Sequence, residues 1–149
     1  MNIAWPLYGH EAAQASFLAS ATSAKLHHGW LIEGPSGIGK ATLANRLAAY
    51  MLGARGPDNA PLEAATTDPV ARICLAGGHP DLRIVHRELN DKGKLRQDIA
   101  VDQIRGLSQF FSLKPAQGGW RVGIIDSLDE LNRNGANALL KTLEEPPAN

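Results

Sequence analysis

A glycine-rich segment, Gly34 to Thr42 (GPSGIGKAT), is the feature that most constrains the fold of this chain. Its G-x-x-x-x-G-K spacing is that of a phosphate-binding loop. In such a loop the glycines let successive backbone amides point at a polyphosphate, and the lysine reaches the terminal phosphates. The predicted phosphate-binding residues are Gly34, Pro35, Ser36, Gly37, Ile38, Gly39, Lys40, Ala41 and Thr42.

The segments around the loop predict an α/β fold. A short apolar run at Trp30 to Glu33 suits a buried parallel strand before the loop, and residues 41–52 have the apolar period of a helix after it. Further helices are predicted at about 11–26, 102–114 and 132–145, and further strands at 81–86 and 120–126. Strands that alternate with helices predict a mostly parallel sheet with its ligand at the carboxyl ends of the strands. We therefore expect a three-layer P-loop fold.

Apolar spacing also predicts which side chains the later helices bury. The helix that starts near Asp102, a good N-cap residue, is expected to bury Ile104, Leu107, Phe110 and Phe111. The last helix is expected to bury Ala136, Leu139, Leu140 and Leu143. A further strand normally follows such a helix, so we expect these residues to be the N-terminal part of a longer protein, truncated before the last strand.

Composition limits the class of protein. At 149 residues and 44% hydrophobic content, residues 1–149 are expected to form one globular domain. Fifteen basic and fifteen acidic residues cancel, so no overall field attracts this domain to nucleic acid or to a membrane. The N-terminus lacks the pattern of a secretion signal and no run is long enough to span a membrane, which predicts a cytoplasmic protein.

The region between the loop helix and the second strand carries no predicted chemistry. Residues 53–80 are rich in Gly, Pro, Ala and Thr and predict an irregular excursion. Cys74 is the only cysteine of the chain, which excludes an internal disulfide and a zinc site built mainly from thiolates. We therefore expect no zinc.

Two positions argue against ATP hydrolysis. The Ser or Thr that normally follows the lysine and binds magnesium is Ala41, and Thr42 is turned about 100° further round the helix. Asp126, at the end of the strand at 120–126, is either the second magnesium ligand of such a site or a residue that caps a turn. The residue after it is Ser127, which cannot act as the base that a Glu provides in ATPases. Whether magnesium binds is left open.

The chain resembles one family in five segments that cover nearly its whole length: the delta-prime subunits of the bacterial DNA polymerase III clamp loader, members of the AAA+ ATPases. The shared segments are LYGHE at Leu7 to Glu11, HHGWLIEGPSGIGK at His27 to Lys40, GGHPDL at Gly77 to Leu82, IAVDQIR at Ile99 to Arg105, and GWRVGIIDSLDELNRNGANALLKTLEEPP at Gly119 to Pro147. The NALLKTLEEPP run is shared with the gamma/tau motor subunits. The IIDS sequence in place of an Asp-Glu pair favours delta-prime.

The resemblance implies a function and partners. It implies that Gly34 to Lys40 lie at the phosphates and that Leu7 and Tyr8 lie beside an adenine. It also implies a ring with gamma/tau and delta subunits that loads the sliding clamp onto primed DNA. Many relatives carry a four-cysteine zinc module within the range that corresponds to residues 53–80, and only Cys74 is present in this chain. The downstream arginine that completes a neighbour's ATP site lies outside these residues.

Three functions follow from the sequence. The leading one is a clamp-loader subunit that binds ATP or ADP weakly or not at all and does not hydrolyse it. The alternative is an active magnesium-dependent ATPase in which water or Thr42 completes the metal site and Glu130 serves as the base. If Glu130 is not a base, Asp129 and Glu130 are expected to face solvent in the turn before the last helix. A small nucleotide kinase shares the loop, but the arginine-rich lid it needs is not apparent.

Overall fold

A computed structural model describes residues 2–23, 29–35, 37–116 and 119–144. In these ranges the chain forms α1 (Glu11–Thr22), α2 (Lys40–Met51), α3 (Pro69–Leu75), β1 (Leu82–Val85), α4 (Val101–Ser112), β2 (Val122–Ile125), a 3₁₀ turn (Leu128–Glu130) and α5 (Arg133–Glu144). The chain divides into two compact units, residues 1–79 and residues 80–149. The expectation of one globular domain stays a prediction.

The first unit has a core between α1 and α2. Its buried members are Phe17, Leu43, Leu47 and Leu62. The ring of Phe17 meets Trp30 edge to face at 5.5 Å and Tyr50 at 6.1 Å between ring centroids. The helical period of residues 41–52 thus predicted correctly the face that α2 buries.

The strand predicted at Trp30 to Glu33 is wrong. These residues have no regular secondary structure, and in the described part of the chain no strand pairs with them. Trp30 and Leu31 are 43% and 63% exposed, and Ile32 packs against the core. An apolar run without a hydrogen-bonding neighbour does not become a strand.

The helix α3 lies within residues 53–80, the range for which an irregular excursion was expected. Its N-cap is Asp68, whose Oδ1 accepts a hydrogen bond from the Ala71 amide at 2.9 Å, and Pro69 occupies the first turn. An Asp before a Pro is a helix-start signal, because the acid caps the free amides and the proline lacks one. This helix-start signal lies inside the range that was expected to be irregular.

The second unit contains the sheet. Strands β1 and β2 are parallel, with Leu82 opposite Val122 and Val85 opposite Ile125. The α/β class and the parallel pairing of these strands are therefore confirmed. Buried Ile104, Leu107 and Phe110 of α4 form the core with Val85 and Ile99.

Gly123 of β2 lets α4 lie close to the sheet. A Cβ at this position would come within 2.7 Å of Leu107 Cδ1 and 2.9 Å of Phe111 Cζ. Real side chains do not pack at such distances, so an alanine here would force Leu107 and Phe111 to move.

Two details of the predicted helices are wrong. The N-cap of α4 is Ala100 and not Asp102, and the Gln103 side chain accepts a hydrogen bond from the Ala100 amide at 3.1 Å. In α5, Leu139 packs against the core, but Leu140 and Leu143 are 51% and 39% exposed. Leu140 and Leu143 are thus less buried than the apolar spacing predicted.

Candidate phosphate-binding loop and acidic strand end

The predicted phosphate loop has the backbone of a tight turn that leads into α2. Gly39 is the N-cap of α2 with φ 97°, and its carbonyl accepts the first helical hydrogen bond from Leu43 at 2.9 Å. Gly34 has φ 152°, and a Cβ there would collide with Ile38. Positive φ at such positions is a conformation that glycine adopts without steric cost. Ser36 lies outside the described residues.

Lys40 spans the loop. Its Nζ donates a hydrogen bond to the Gly34 carbonyl at 2.6 Å, joining the last residue of the motif to its first. The ammonium group thus lies against loop backbone, within reach of the segment that would hold a phosphate. Glycines and a lysine at a helix N-terminus fit a phosphate ligand by charge and by backbone donors.

The N-terminal segment lies against this loop. A Cβ on Gly39 would meet Leu7 Cδ1 at 2.7 Å, and His10 Nε2 lies 2.6 Å from the Ile38 carbonyl. Tyr8 is 94% exposed. The segment implied to lie beside an adenine therefore contacts the last turn of the loop, which no local spacing in the sequence predicted.

Arg46 of α2 fixes the N-terminal segment to the helix. Its side chain is buried; Nε donates to the Trp5 carbonyl at 2.7 Å, and Nη1 donates to Gln14 Oε1 at 3.1 Å. Burial lowers the pKa of Arg46 from its ordinary value, and the negative charge of Glu63 acts in the opposite direction. An arginine remains charged at neutral pH, so these contacts are charge-assisted.

The residues at the predicted magnesium position do not fit a metal site. Ala41 is exposed and has no side-chain oxygen, and Thr42 is half-buried in the first turn of α2. In the described ranges no group of three or more His, Cys, Asp or Glu residues could hold a metal.

Asp126 directly follows β2. Its amide donates to the Val85 carbonyl at 2.8 Å, which continues the pairing of the two strands, and its side chain is exposed. The predicted position at the carboxyl end of a strand is confirmed, and a metal-binding role stays a prediction. Ser127, half-buried, follows it.

Glu130 is held by an arginine. Its Oε2 lies 2.6 Å from Arg87 Nε, and both side chains are about one-third exposed. Its carbonyl also accepts a hydrogen bond from Ile99 at 2.9 Å. Glu130 therefore faces solvent only in part, because the Arg87 guanidinium covers one side of it, whereas Asp129 is exposed as expected.

Comparison with known proteins identifies the family. A family model described as DNA polymerase III, delta subunit, matches residues 9–149. The chain belongs to this family. This match and the similarity to two delta' subunits confirm the resemblance to delta-prime subunits.

Individual relatives support the assignment to this family. The chain is 38% identical over 119 residues to DNA polymerase III subunit delta' of Pseudomonas aeruginosa, covering 80% of this chain and 34% of that protein. It is 34% identical over 124 residues to subunit delta' of Haemophilus influenzae, covering 83% and 35%. It is 32% identical over 123 residues to subunit gamma of Buchnera aphidicola from Acyrthosiphon pisum, covering 83% and 31%. The chain spans about a third of the length of these family relatives.

A buried ion pair at the start of the two strands was not predicted. Asp81, which precedes β1, is fully buried; its Oδ1 lies 3.6 Å from Arg121 Nη2 and accepts a hydrogen bond from the Ala116 amide at 2.7 Å. Arg121 precedes β2, and its guanidinium also lies 4.6 Å from the centre of the Phe110 ring. The sequence signal for this pair was an acidic residue directly before one strand and a basic residue directly before the strand that pairs with it in parallel.

Cys74 lies buried on α3. Burial raises the pKa of its thiol, and the negative charge of Asp68 raises it further. A raised pKa keeps the thiol protonated at neutral pH, which makes it a poor metal ligand and a slow nucleophile. The absence of the zinc module of some relatives stays a prediction.

None of the helices in the described ranges combines the length and the apolar character that crossing a membrane would require.

Proposed function

We propose that this chain is the AAA+ P-loop domain of a DNA polymerase III clamp-loader subunit that does not hydrolyse ATP itself. In this function it binds ATP or ADP weakly through Gly34–Thr42. Its partners are the gamma/tau and delta subunits, and through that complex it serves the loading of the sliding clamp onto primed DNA in the cytoplasm. The observation that carries the proposal is a phosphate loop with its lysine in place and an alanine at the metal position.

Nucleotide binding is supported by the state of the loop. Lys40 contacts only a backbone carbonyl of the loop among its hydrogen bonds in the described structure, so a phosphate can replace that contact by a stronger charge-assisted one. Gly39 is the N-cap of α2, so the positive end of the helix dipole points towards the loop. Both features favour an anion and neither needs a metal.

Loss of hydrolysis is supported by the groups that are missing or engaged. Ala41 offers no metal ligand, and Ser127 stands where an ATPase has its base. Glu130, the base of the alternative ATPase, forms an ion pair with Arg87 at 2.6 Å. In this contact the Glu130 carboxylate already serves as the partner of an arginine.

The test is calorimetry and turnover on the full chain and on the assembled complex. We expect weak ATP binding that magnesium changes little, no turnover by this subunit, and at least about tenfold weaker binding in Lys40→Ala, from the loss of one charge-assisted contact. Lys141→Ala, a change of an exposed lysine on α5, is the matched control. Turnover that disappears in Lys40→Ala or in Glu130→Gln would instead establish the active ATPase.

A further inference from the structure

The contact between His10 and Ile38 is not explained by the phosphate-binding motif. The two residues are 28 positions apart, and His10 Nε2 lies 2.6 Å from the Ile38 carbonyl oxygen. A carbonyl oxygen only accepts hydrogen bonds, so Nε2 carries the proton in this contact. The imidazole is therefore a donor to the loop.

His10 reaches the loop from an unusual backbone conformation. It has φ 62° and ψ 26°, and among the described residues it is the one non-glycine residue with positive φ. This left-handed conformation is sterically unfavourable for a residue other than glycine. It persists only where surrounding contacts fix it.

The contacts that hold His10 connect it to α2, the helix that directly follows the phosphate loop. Gln14 Nε2 donates to the Gly9 carbonyl at 3.1 Å and lies 3.5 Å from the His10 carbonyl. The Gln14 oxygen accepts from buried Arg46 of α2 at 3.1 Å. The turn at Gly9 and His10 is thus tied to α2 through two side chains.

A hydrogen bond to the Ile38 carbonyl also orients the next amide. The peptide between Ile38 and Gly39 is planar, and in a trans peptide the carbonyl and the following N–H point in opposite directions. Holding the carbonyl towards His10 turns the Gly39 N–H to the other side of that peptide. Leu7, packed against Gly39, limits the movement of the same turn.

We propose that His10 is a positioning residue that holds the Ile38–Gly39 turn of the phosphate loop and so preorganises its amides for a phosphate group. Gln14 and Arg46 hold His10 in turn. The role in ligand binding rests on the proposed function of the loop, whereas the effect of His10 on the loop backbone does not.

The first test is amide hydrogen exchange of the ligand-free full chain, measured for a peptide that spans residues 34–43. We expect His10→Ala to exchange about fivefold faster there, from the loss of one hydrogen bond of about 1 kcal/mol. His10→Gln, whose amide can donate to the same carbonyl, restores slow exchange. His86→Ala is the matched control, since His86 also bonds a carbonyl, that of Arg87 at 2.9 Å, in the second unit.

The second test is calorimetric titration of the same variants with ADP. We expect about fivefold weaker affinity in His10→Ala, with recovery in His10→Gln. Unchanged exchange in His10→Ala, or a His10→Gln that behaves like His10→Ala, overturns the proposal. If the wild-type chain binds no ADP, the proposed nucleotide binding fails, and hydrogen exchange alone decides the role of His10.

Discussion

The phosphate loop and the turn after β2 differ in how their polar groups are used. In the loop, Lys40 contacts a backbone carbonyl that a ligand can displace. In the turn, Glu130 is bound to Arg87, and Ser127 follows Asp126 where a base would be needed. Under the proposed function, the loop keeps the groups that would hold a phosphate, whereas in the described residues the groups considered for activating water are replaced or paired. On that proposal, phosphate binding and hydrolysis are separable in one chain.

The largest expected effect is a loss of stability at the start of the two strands, where Asp81 and Arg121 pair. If the second unit is chiefly a scaffold, Asp81→Ala should lower the free energy of unfolding by about 3–5 kcal/mol, because it leaves the buried Arg121 guanidinium without its carboxylate. Chemical denaturation measures the loss. Asp102→Ala, which removes an exposed partner of Arg105, is the control and should change stability by less than about 0.5 kcal/mol. Equal effects would show that the buried pair is not what holds the strand starts.

A smaller loss of stability is expected in the loop. Gly39→Ala places a side chain at φ 97° and within 2.7 Å of Leu7 Cδ1, so we expect a loss of about 2 kcal/mol in denaturation. Gly37→Ala has φ 83° with open space around the new Cβ and serves as the control for backbone strain alone. A Gly39→Ala no worse than Gly37→Ala would mean that the Leu7 contact does not constrain the loop.

Restoring the missing metal ligand sharpens the contrast between binding and hydrolysis. Ala41→Ser supplies the hydroxyl of the complete motif, and we expect ADP to bind about tenfold more tightly with magnesium than with EDTA in this variant only. Calorimetry in both buffers measures the ratio. Turnover should remain absent, since Ser127 is unchanged. A wild-type chain that already requires magnesium would contradict the role given to Ala41.

The smallest effect is expected at Glu130. Glu130→Gln weakens a partly exposed ion pair with Arg87, so we expect a loss of less than about 1 kcal/mol of stability and no change in nucleotide turnover by the assembled complex. Denaturation and phosphate release measure the two quantities. The reciprocal variant Arg87→Met should cost a similar amount. Loss of turnover in Glu130→Gln but not in Arg87→Met would identify Glu130 as a base. The contrast between the phosphate loop and the turn after β2 would then be wrong.

Local patterns in the sequence predicted much of this fold but few of its contacts. The period of apolar residues located α2 and α4, and the apolar runs located β1 and β2, because these signals repeat within one element. The link from His10 to Ile38 and the pair of Asp81 with Arg121 join residues 28 and 40 positions apart. Such contacts depend on how elements pack, which spacing along the chain does not encode.

The strand predicted before the loop shows the same limit. Trp30 to Glu33 has the composition of a strand, but a strand also needs a neighbour to pair with, and composition does not supply one. The loop is recognisable from the sequence, whereas the segments that contact it are not. Its glycines and lysine form a local motif, whereas Leu7, His10 and Arg46 reach it from other segments.

The missing side chain of Gly123 has an evolutionary consequence. Leu107 and Phe111 occupy the space that a Cβ on β2 would need. A homologue with alanine or valine at position 123 should therefore carry a smaller residue at position 107 or 111, so that the three positions change together. In this chain, Gly123→Ala should become tolerable once Leu107 and Phe111 are both shortened, a compensation that a library of combined variants would reveal.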